Sequence, residues 1–168
     1  MKGRFVPHAE FIFREAGEFV RRTSQDLFDN KRVVIFSLPG AFTPTCSAYQ
    51  LPGFEERFDE ISDYGIDDIY CISVNDAFVM NAWADNQQIE KVTLVPDGNG
   101  SFTRLIGMEV TKMNVGFGFR SWRYAAVVQN GIIEQWFEEP GREDDATEDP
   151  YGETSPEAVI AYLQSQIS

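Results

Sequence analysis

The sequence predicts an α/β fold in which a mixed central β-sheet is flanked by helices. Two apolar runs, at residues 31–38 and 68–74, have the pattern of strands that are covered on both faces. Each run is followed by a stretch with helical spacing, and an Asn130-Gly131 turn near the end indicates an antiparallel hairpin. Cys46 comes shortly after the first buried strand, at the start of a helix, and this order is typical of a thioredoxin-like fold.

The first half of the chain contains three further predicted elements, a hairpin and two helices. Residues 11–21 form a short N-terminal hairpin, and Thr23 or Ser24 caps a helix that ends at Phe28. A long helix is expected over residues 45–64, with Gly65 as its C-terminal glycine.

The second half continues the alternation of helices and strands. Asn75 or Asp76 caps a helix, a strand covers residues 92–95, and residues 96–100 form a turn before a short helix that begins at Ser101. The late hairpin pairs residues 124–129 with 132–137. Residues 138–149 contain seven acidic side chains in twelve and are expected to form a solvated loop, and a last helix opens at 155–157.

Length and charge restrict the class of protein. At 168 residues we expect a single domain over 1–168, and 14 basic against 27 acidic residues give a net charge of −13. Such an excess of negative charge argues against partners made of nucleic acid or anionic membrane. The absence of an apolar run of membrane-spanning or signal-peptide length favours a cytoplasmic location.

Two cysteines do not make a disulfide framework, and the single histidine, His8, argues against an imidazole-based metal site or a serine–histidine triad. We therefore expect no metal and no bound cofactor.

Cys46 has the placement of a reactive thiol. It lies beyond the carboxyl end of a buried strand and in the first turn of a helix, where free N–H groups and the helix dipole favour an anion. The thiolate is the reactive form of cysteine. Thr43 can present a hydroxyl to the same pocket, while Pro39 and Pro44 stiffen the loop. From these residues alone, a reactive Cys46 and a small buried apolar Cys46 both remain open.

A family resemblance favours the reactive interpretation. Pro39, Thr43 and Cys46 form the spacing P-x-x-x-T-x-x-C, which resembles the active-site motif of the peroxiredoxins. The string PGAFTPTCS resembles the type II, or peroxiredoxin-5, subfamily in particular. The segments CISVNDAFVMNAW, PDGNGSFT and GFGFRSWRYAAVV are similar to the same subfamily. The similarity covers roughly residues 6–163 and is greatest to the peroxiredoxin half of bacterial peroxiredoxin–glutaredoxin fusions, without the glutaredoxin domain.

The resemblance implies a role for each residue of the motif. Cys46 would be the peroxidatic cysteine, which attacks a peroxide and becomes a sulfenic acid. Arg123 would polarise the O–O bond, with Arg120 as a second candidate and a surface salt bridge as the alternative role for Arg123. Thr43 would hydrogen-bond the sulfur and the peroxide, and Pro39 would shield the thiolate from water.

Cys71 decides how a sulfenic acid on Cys46 would be reduced. Some type II peroxiredoxins use a second cysteine at the position that matches Cys71. However, Cys71 lies mid-strand, about 10 Å from the carboxyl edge of the sheet at ~3.3 Å per residue. A disulfide needs Cα atoms within about 7 Å. We therefore expect Cys71 to be a buried packing residue and an external thiol to act as reductant.

The identity of that thiol is open. The resemblance to the glutaredoxin fusions favours glutathione with glutaredoxin, and thioredoxin is the second candidate. Two other classes remain: a peroxide-sensing redox partner, and a thioredoxin-like disulfide exchanger, although no second cysteine lies near Cys46 in a C-x-x-C pattern. A rapid, saturating oxidation of Cys46 by micromolar peroxide would distinguish an enzyme from a binding module.

The resemblance also implies a homodimer with the active-site loops near the interface. Four phenylalanines in loop segments are candidates for an exposed apolar patch, with simple core packing as the alternative. They are Phe42, Phe78, Phe117 and Phe119.

Overall fold

A computed structural model describes residues 1–167. Within this range the strands and helices are, in chain order, β1 (Glu10–Glu15), β2 (Glu18–Thr23), α1 (Ser24–Phe28), β3 (Arg32–Ser37), a π-helix (Cys46–Gln50), α2 (Leu51–Glu56), α3 (Phe58–Ser62), β4 (Asp68–Ser73), α4 (Ala77–Asn86), β5 (Thr93–Pro96), α5 (Ser101–Leu105), β6 (Glu109–Lys112), a 3₁₀-helix (Met113–Val115), β7 (Gly118–Ser121), β8 (Tyr124–Gln129), β9 (Ile132–Glu138) and α6 (Pro156–Ser165).

The five central strands form a mixed sheet in the order β5-β4-β3-β8-β9. β3, β4 and β5 run parallel, whereas β8 pairs antiparallel with both β3 and β9. Two smaller hairpins, β1-β2 and β6-β7, lie outside this sheet. The expected mixed α/β architecture with an N-terminal hairpin is therefore confirmed.

Side chains along β3 alternate between two apolar clusters, one on each face of the sheet. Val33 and Ile35 join one cluster, while Val34 and Phe36 join the other. The second cluster also contains Cys46, so its side chain is packed among apolar residues.

Two helix caps and one turn lie at the residues that the sequence predicts. Thr23 caps α1 in a reciprocal capping box with Asp26, and Asp76 caps α4 by accepting from the N–H of Val79. Asn130 and Gly131 both adopt positive φ, as the two-residue turn between β8 and β9 requires.

The expected continuous helix over residues 45–64 is wrong. The chain forms a π-helix from Cys46 to Gln50, then α2 and α3 with a break at Arg57. In the π-turn the N–H of Leu51 donates to the carbonyl of Cys46. Pro52 lacks an N–H and its ring crowds the carbonyl four residues before it, so a regular α-turn cannot pass through this point unchanged.

The expectation of a wholly solvated loop over residues 138–149 is also wrong. Glu139 is buried, and its carboxylate accepts from the backbone N–H groups of Gly152, Glu153 and Thr154 and from the Thr154 hydroxyl. This loop is therefore anchored to the segment that precedes α6. The β6-β7 hairpin was not predicted, because each of its strands is only four residues long.

Within residues 1–167, no helix is both long and apolar enough to cross a membrane.

Candidate active site

Cys46 lies on the loop that leaves the carboxyl end of β3, and it is the first residue of the π-helix. Phe42 takes a left-handed conformation at φ 65° and turns the chain before Thr43. The N–H of Ser47 donates to the carbonyl of Thr43 at 3.0 Å, which closes the turn around the cysteine. The Cys46 side chain is completely buried. It lies after β3 and its loop, at the start of a helical segment, as the sequence predicts.

Arg123 directs its guanidinium at the sulfur. Its Nη1 lies 3.4 Å from Cys46 Sγ and also donates to Oε1 of Gln50. Its Nη2 donates to both carboxylate oxygens of Asp149 at 2.8 Å. Arg123 is only 1% exposed, so its interpretation as a surface salt bridge is wrong. The arrangement presents one fixed cationic donor to the thiol.

The charge of Arg123 is retained despite its burial. Burial alone would lower the pKa of the guanidinium, but the negative charges of Cys46 and Asp149 outweigh this effect and raise that pKa. A permanently charged donor next to the sulfur stabilises negative charge that develops on a group bound there.

Arg120 holds the loop and does not contact the sulfur. Its Nη1 donates to the carbonyl of Pro39 at 3.0 Å, and its Nε donates to the carbonyl of Phe117 at 3.2 Å. Burial lowers the pKa of Arg120, while the charge of Cys46 acts in the opposite direction. A Cβ on Gly40 would lie 2.0 Å from Arg120 Nη1, so only glycine leaves room for this contact.

Thr43 and Pro39 lie on the loop that precedes Cys46 in the chain. They line a cleft of about 150 Å³ with the β6-β7 hairpin and residues 146–149. The Thr43 hydroxyl donates to the carbonyl of Gly40 at 2.7 Å, in place of the expected hydrogen bond to the sulfur. Its oxygen keeps lone pairs with which it can accept from a peroxide O–H.

Cys71 lies in the middle of β4, opposite Phe36 on β3 and Leu94 on β5. Its side chain is completely buried in the same apolar cluster as Cys46, and neither cysteine forms a disulfide. Burial raises the pKa of the Cys71 thiol well above its ordinary value, and the charge of Cys46 raises it further. Cys71 is thus held as a neutral thiol within a paired strand.

Sequence reasoning missed a relay of buried polar groups behind Arg123. Gln50 is fully buried, and its Nε2 lies 3.3 Å from the Thr154 hydroxyl that Glu139 holds. Gln50 stands four residues after Cys46, and this spacing places both side chains on one helix face. That spacing was a usable signal. No comparable sequence signal marked Asp149, because it lies among many acidic residues of a loop.

Within residues 1–167, the His, Cys, Asp and Glu side chains form no group of three that could hold a metal ion.

Comparison with known proteins shows which family and which proteins this chain is similar to. The redoxin family profile matches residues 9–153. A peroxiredoxin from Rhizobium etli is 58% identical over 144 residues, covering 86% of this chain and 80% of that protein. The hybrid peroxiredoxin hyPrx5 of Haemophilus influenzae is 46% identical over 166 residues, covering 99% of this chain and 67% of that protein.

Solved structures agree with this similarity. The crystal structure of the Plasmodium falciparum antioxidant protein, described as a 1-Cys peroxiredoxin, superposes with a TM-score of 0.94 at 34% identity. It covers 98% of this chain and 100% of that one.

Proposed function

The chain belongs to the peroxiredoxins of the redoxin family, and we propose that it reduces hydrogen peroxide and small alkyl hydroperoxides at Cys46 and is recycled by glutathione and glutaredoxin. The observation that carries the proposal is the 3.4 Å approach of the buried Arg123 guanidinium to Cys46 Sγ. A thiolate paired with a fixed cation, beside a small cleft, has the parts that peroxide reduction requires.

The first half of the cycle oxidises Cys46. The thiolate attacks the terminal peroxide oxygen, an S–O bond forms and the O–O bond breaks. The departing oxygen takes up a proton and leaves as water or an alcohol, and Cys46 becomes a sulfenic acid. Arg123 stabilises the charge that develops on this oxygen, and Thr43 orients the peroxide by accepting its O–H.

The second half needs a thiol from outside the chain, because Cys71 is a buried neutral thiol in a paired strand. A glutathione thiolate attacks the Cys46 sulfur, an S–S bond forms and the S–O bond breaks, and the sulfenic oxygen takes up a proton from solvent and leaves as water. A glutaredoxin thiolate then attacks the glutathione sulfur and releases the Cys46 thiolate. The 46% identity to a hybrid peroxiredoxin supports this route, and so does the likeness to a 1-Cys peroxiredoxin.

A thioredoxin-dependent cycle through a Cys46–Cys71 disulfide is the second candidate. Its support is that both cysteines belong to one apolar cluster. We expect it to require local unfolding around both cysteines, because Cys71 lies in a strand that is paired on both sides.

Intact mass separates the two routes. Protein treated with one equivalent of peroxide and then glutathione should gain about 305 Da on Cys46, as a mixed disulfide. Cys71→Ser should behave in the same way and turn over fully with glutathione and glutaredoxin. Without glutathione, a loss of about 2 Da that maps to Cys46 and Cys71 would overturn the glutathione route in favour of an internal disulfide.

We also propose that the chain forms a homodimer through its exposed aromatic side chains. Phe42, Phe78 and Phe119 are 50%, 58% and 56% exposed, so they do not simply fill the core. Phe117 is partly buried beneath Arg120. Large exposed aromatic side chains are typical of an interaction surface when they form a contiguous patch. Sedimentation at micromolar protein should show a species of twice 19.1 kDa, and a monomer alone would refute the dimer.

A further inference from the structure

Glu139 is a buried carboxylate to which the peroxidase cycle gives no role. It directly follows β9 and is 2% exposed. Its oxygens accept from the backbone N–H groups of Gly152, Glu153 and Thr154 at 2.8–3.2 Å, and from the Thr154 hydroxyl at 2.6 Å. These donors offset the cost of taking a carboxylate charge out of water. They also commit the proton of the Thr154 hydroxyl to Glu139.

The Thr154 hydroxyl in turn orients the amide of Gln50. Because the hydroxyl proton points to Glu139, a lone pair of the same oxygen accepts from Gln50 Nε2 at 3.3 Å. The Thr154 carbonyl accepts from this nitrogen at 3.4 Å. The amide therefore turns its oxygen toward Arg123, whose guanidinium can only donate. Gln50 and Thr154 are both fully buried, so bulk water does not compete for these contacts.

These contacts form a chain of hydrogen bonds that runs in one direction, from Arg123 to a negative charge. Arg123 Nη1 donates to Gln50, Gln50 donates to Thr154, and Thr154 donates to Glu139. Hydrogen bonds that share one direction polarise each other in a protein interior. The nitrogen that begins the chain is the same Nη1 that lies 3.4 Å from Cys46 Sγ. The chain therefore links a buried carboxylate to the donor that faces the sulfur.

The other contacts of the Arg123 guanidinium leave the direction of Nη1 dependent on this chain. Nε is buried and has no hydrogen-bond partner within residues 1–167. Nη2 is held by Asp149, whose side chain is 40% exposed to solvent. Gln50 is thus the fully buried partner of the guanidinium. The backbone N–H of Glu139 also donates to the carbonyl of Arg123 at 3.2 Å, so Glu139 holds the main chain of the arginine directly.

We propose that Glu139 is a positioning residue for peroxide reduction, which acts through Thr154 and Gln50 to hold Nη1 of Arg123 against the Cys46 sulfur. The proposal rests on the peroxidase cycle given above, in which Arg123 stabilises the charge on the departing oxygen. The contribution of Glu139 then depends on the presence of the arginine. A carboxylate that only anchored the segment before α6 would show no such dependence.

Thr154→Val separates positioning from anchoring. Valine has nearly the shape of threonine and keeps the backbone N–H that donates to Glu139, but it removes the hydroxyl link to Gln50. Rapid mixing with hydrogen peroxide gives the second-order rate of Cys46 oxidation. We expect Thr154→Val to lower this rate about three- to tenfold, the effect of one net hydrogen bond. Thr154→Ser keeps the hydroxyl and should restore most of the rate.

Thr103→Val is the matched control, because Thr103 makes the same kind of contact elsewhere. Its hydroxyl donates to the carboxylate of Asp97 at 2.7 Å, its backbone N–H donates to the same oxygen at 2.9 Å, and both residues are buried. Among residues 1–167, neither of them hydrogen-bonds to Arg123 or Gln50. This variant should lower the thermal midpoint as much as Thr154→Val does and leave the peroxide rate unchanged.

The critical measurement repeats Thr154→Val in a chain that already carries Arg123→Met. If Thr154 acts through the arginine, its substitution should slow the wild-type chain and have no further effect once the positioned donor is gone. A loss of the same size in both backgrounds would show an anchoring role only and would overturn the proposal. An unchanged rate in Thr154→Val, or an equal loss in Thr103→Val, would overturn it as well.

Glu139→Gln tests the carboxylate itself. One of its two oxygens becomes an NH₂ group, which cannot accept from the N–H groups of residues 152–154. We expect a larger loss of peroxide rate than in Thr154→Val, which again should vanish beside Arg123→Met. Circular dichroism shows whether each variant is folded. Where Glu139→Gln does not fold, the Thr154 series, which keeps the anchor, still carries the test.

The wild-type rate separates failure of this proposal from failure of the peroxidase cycle. A wild-type chain that is oxidised slowly at Cys46, and that Arg123→Met does not slow further, would refute the cycle and with it the role of Glu139. A wild-type chain that is oxidised rapidly, but is not slowed by Thr154→Val, would refute only the role of Glu139.

Discussion

Replacing Arg123 by methionine should slow the oxidation of Cys46 by roughly 10²–10³. Arg123 is 1% exposed and Nη1 is 3.4 Å from the sulfur, so water cannot take over its role. Removing one such preorganised donor costs about 2.7–4 kcal/mol of transition-state stabilisation, and each ~1.4 kcal/mol is a factor of ten in rate. The same change leaves Gln50 Oε1 buried without its donor, which should lower the free energy of unfolding by about 1–3 kcal/mol.

Arg120→Met is the matched control, because both arginines lie near the site and differ in what they contact. Arg120 donates to the carbonyls of Pro39 and Phe117 and to no atom of Cys46. Rapid mixing of each variant with hydrogen peroxide, with sulfenic acid followed by mass spectrometry, gives the second-order rate. We expect Arg120→Met to lose less than about tenfold in this rate. A larger loss in Arg120→Met than in Arg123→Met would refute the assignment of the charged donor.

Three further changes test the groups around this pair. Asp149→Asn keeps one acceptor for Arg123 but removes the charge; since Asp149 is 40% exposed, we expect a loss of only about tenfold in peroxide rate, measured by rapid mixing. Cys71→Ser should keep full turnover with glutathione and glutaredoxin in a coupled assay, and a loss of turnover despite a native circular dichroism spectrum would implicate Cys71 in recycling. Gly40→Ala places a Cβ where Arg120 Nη1 now lies, so its thermal midpoint should fall; an unchanged midpoint would show that the arginine moves freely.

Much of the fold could be predicted because its signals are local. The continuous apolar runs of β3 and β4, the Thr23 and Asp76 caps and the Asn130-Gly131 turn each depend on a few adjacent residues. The π-turn at Cys46 could not be predicted in the same way. Helical spacing over residues 45–64 is compatible with one regular helix, and the interruption depends on how Pro52 is accommodated in three dimensions.

The residues of the candidate site differ in the same way: those that are close in sequence could be predicted, and those that are joined by long-range contacts could not. Cys46 and its motif partners are close in sequence, and the family resemblance indicated Arg123. Asp149 and Glu139 were hidden in an acidic segment, where composition predicts exposure. Their engagement comes from long-range contacts, since Asp149 meets Arg123 across 26 residues and Glu139 holds Thr154 across 15. No local pattern encodes such contacts.

The most direct test of the central claim is the rate of peroxide consumption by Cys46→Ser compared with the wild-type chain, under glutathione and glutaredoxin. Serine removes the only proposed nucleophile and keeps a similar shape, so the fold should persist in circular dichroism. We expect the wild-type chain to consume peroxide rapidly and to accumulate sulfenic acid on Cys46 when the thiols are withheld. The variant should consume peroxide no faster than the thiols alone. Substantial consumption by the folded variant would contradict Cys46 as the site of peroxide reduction.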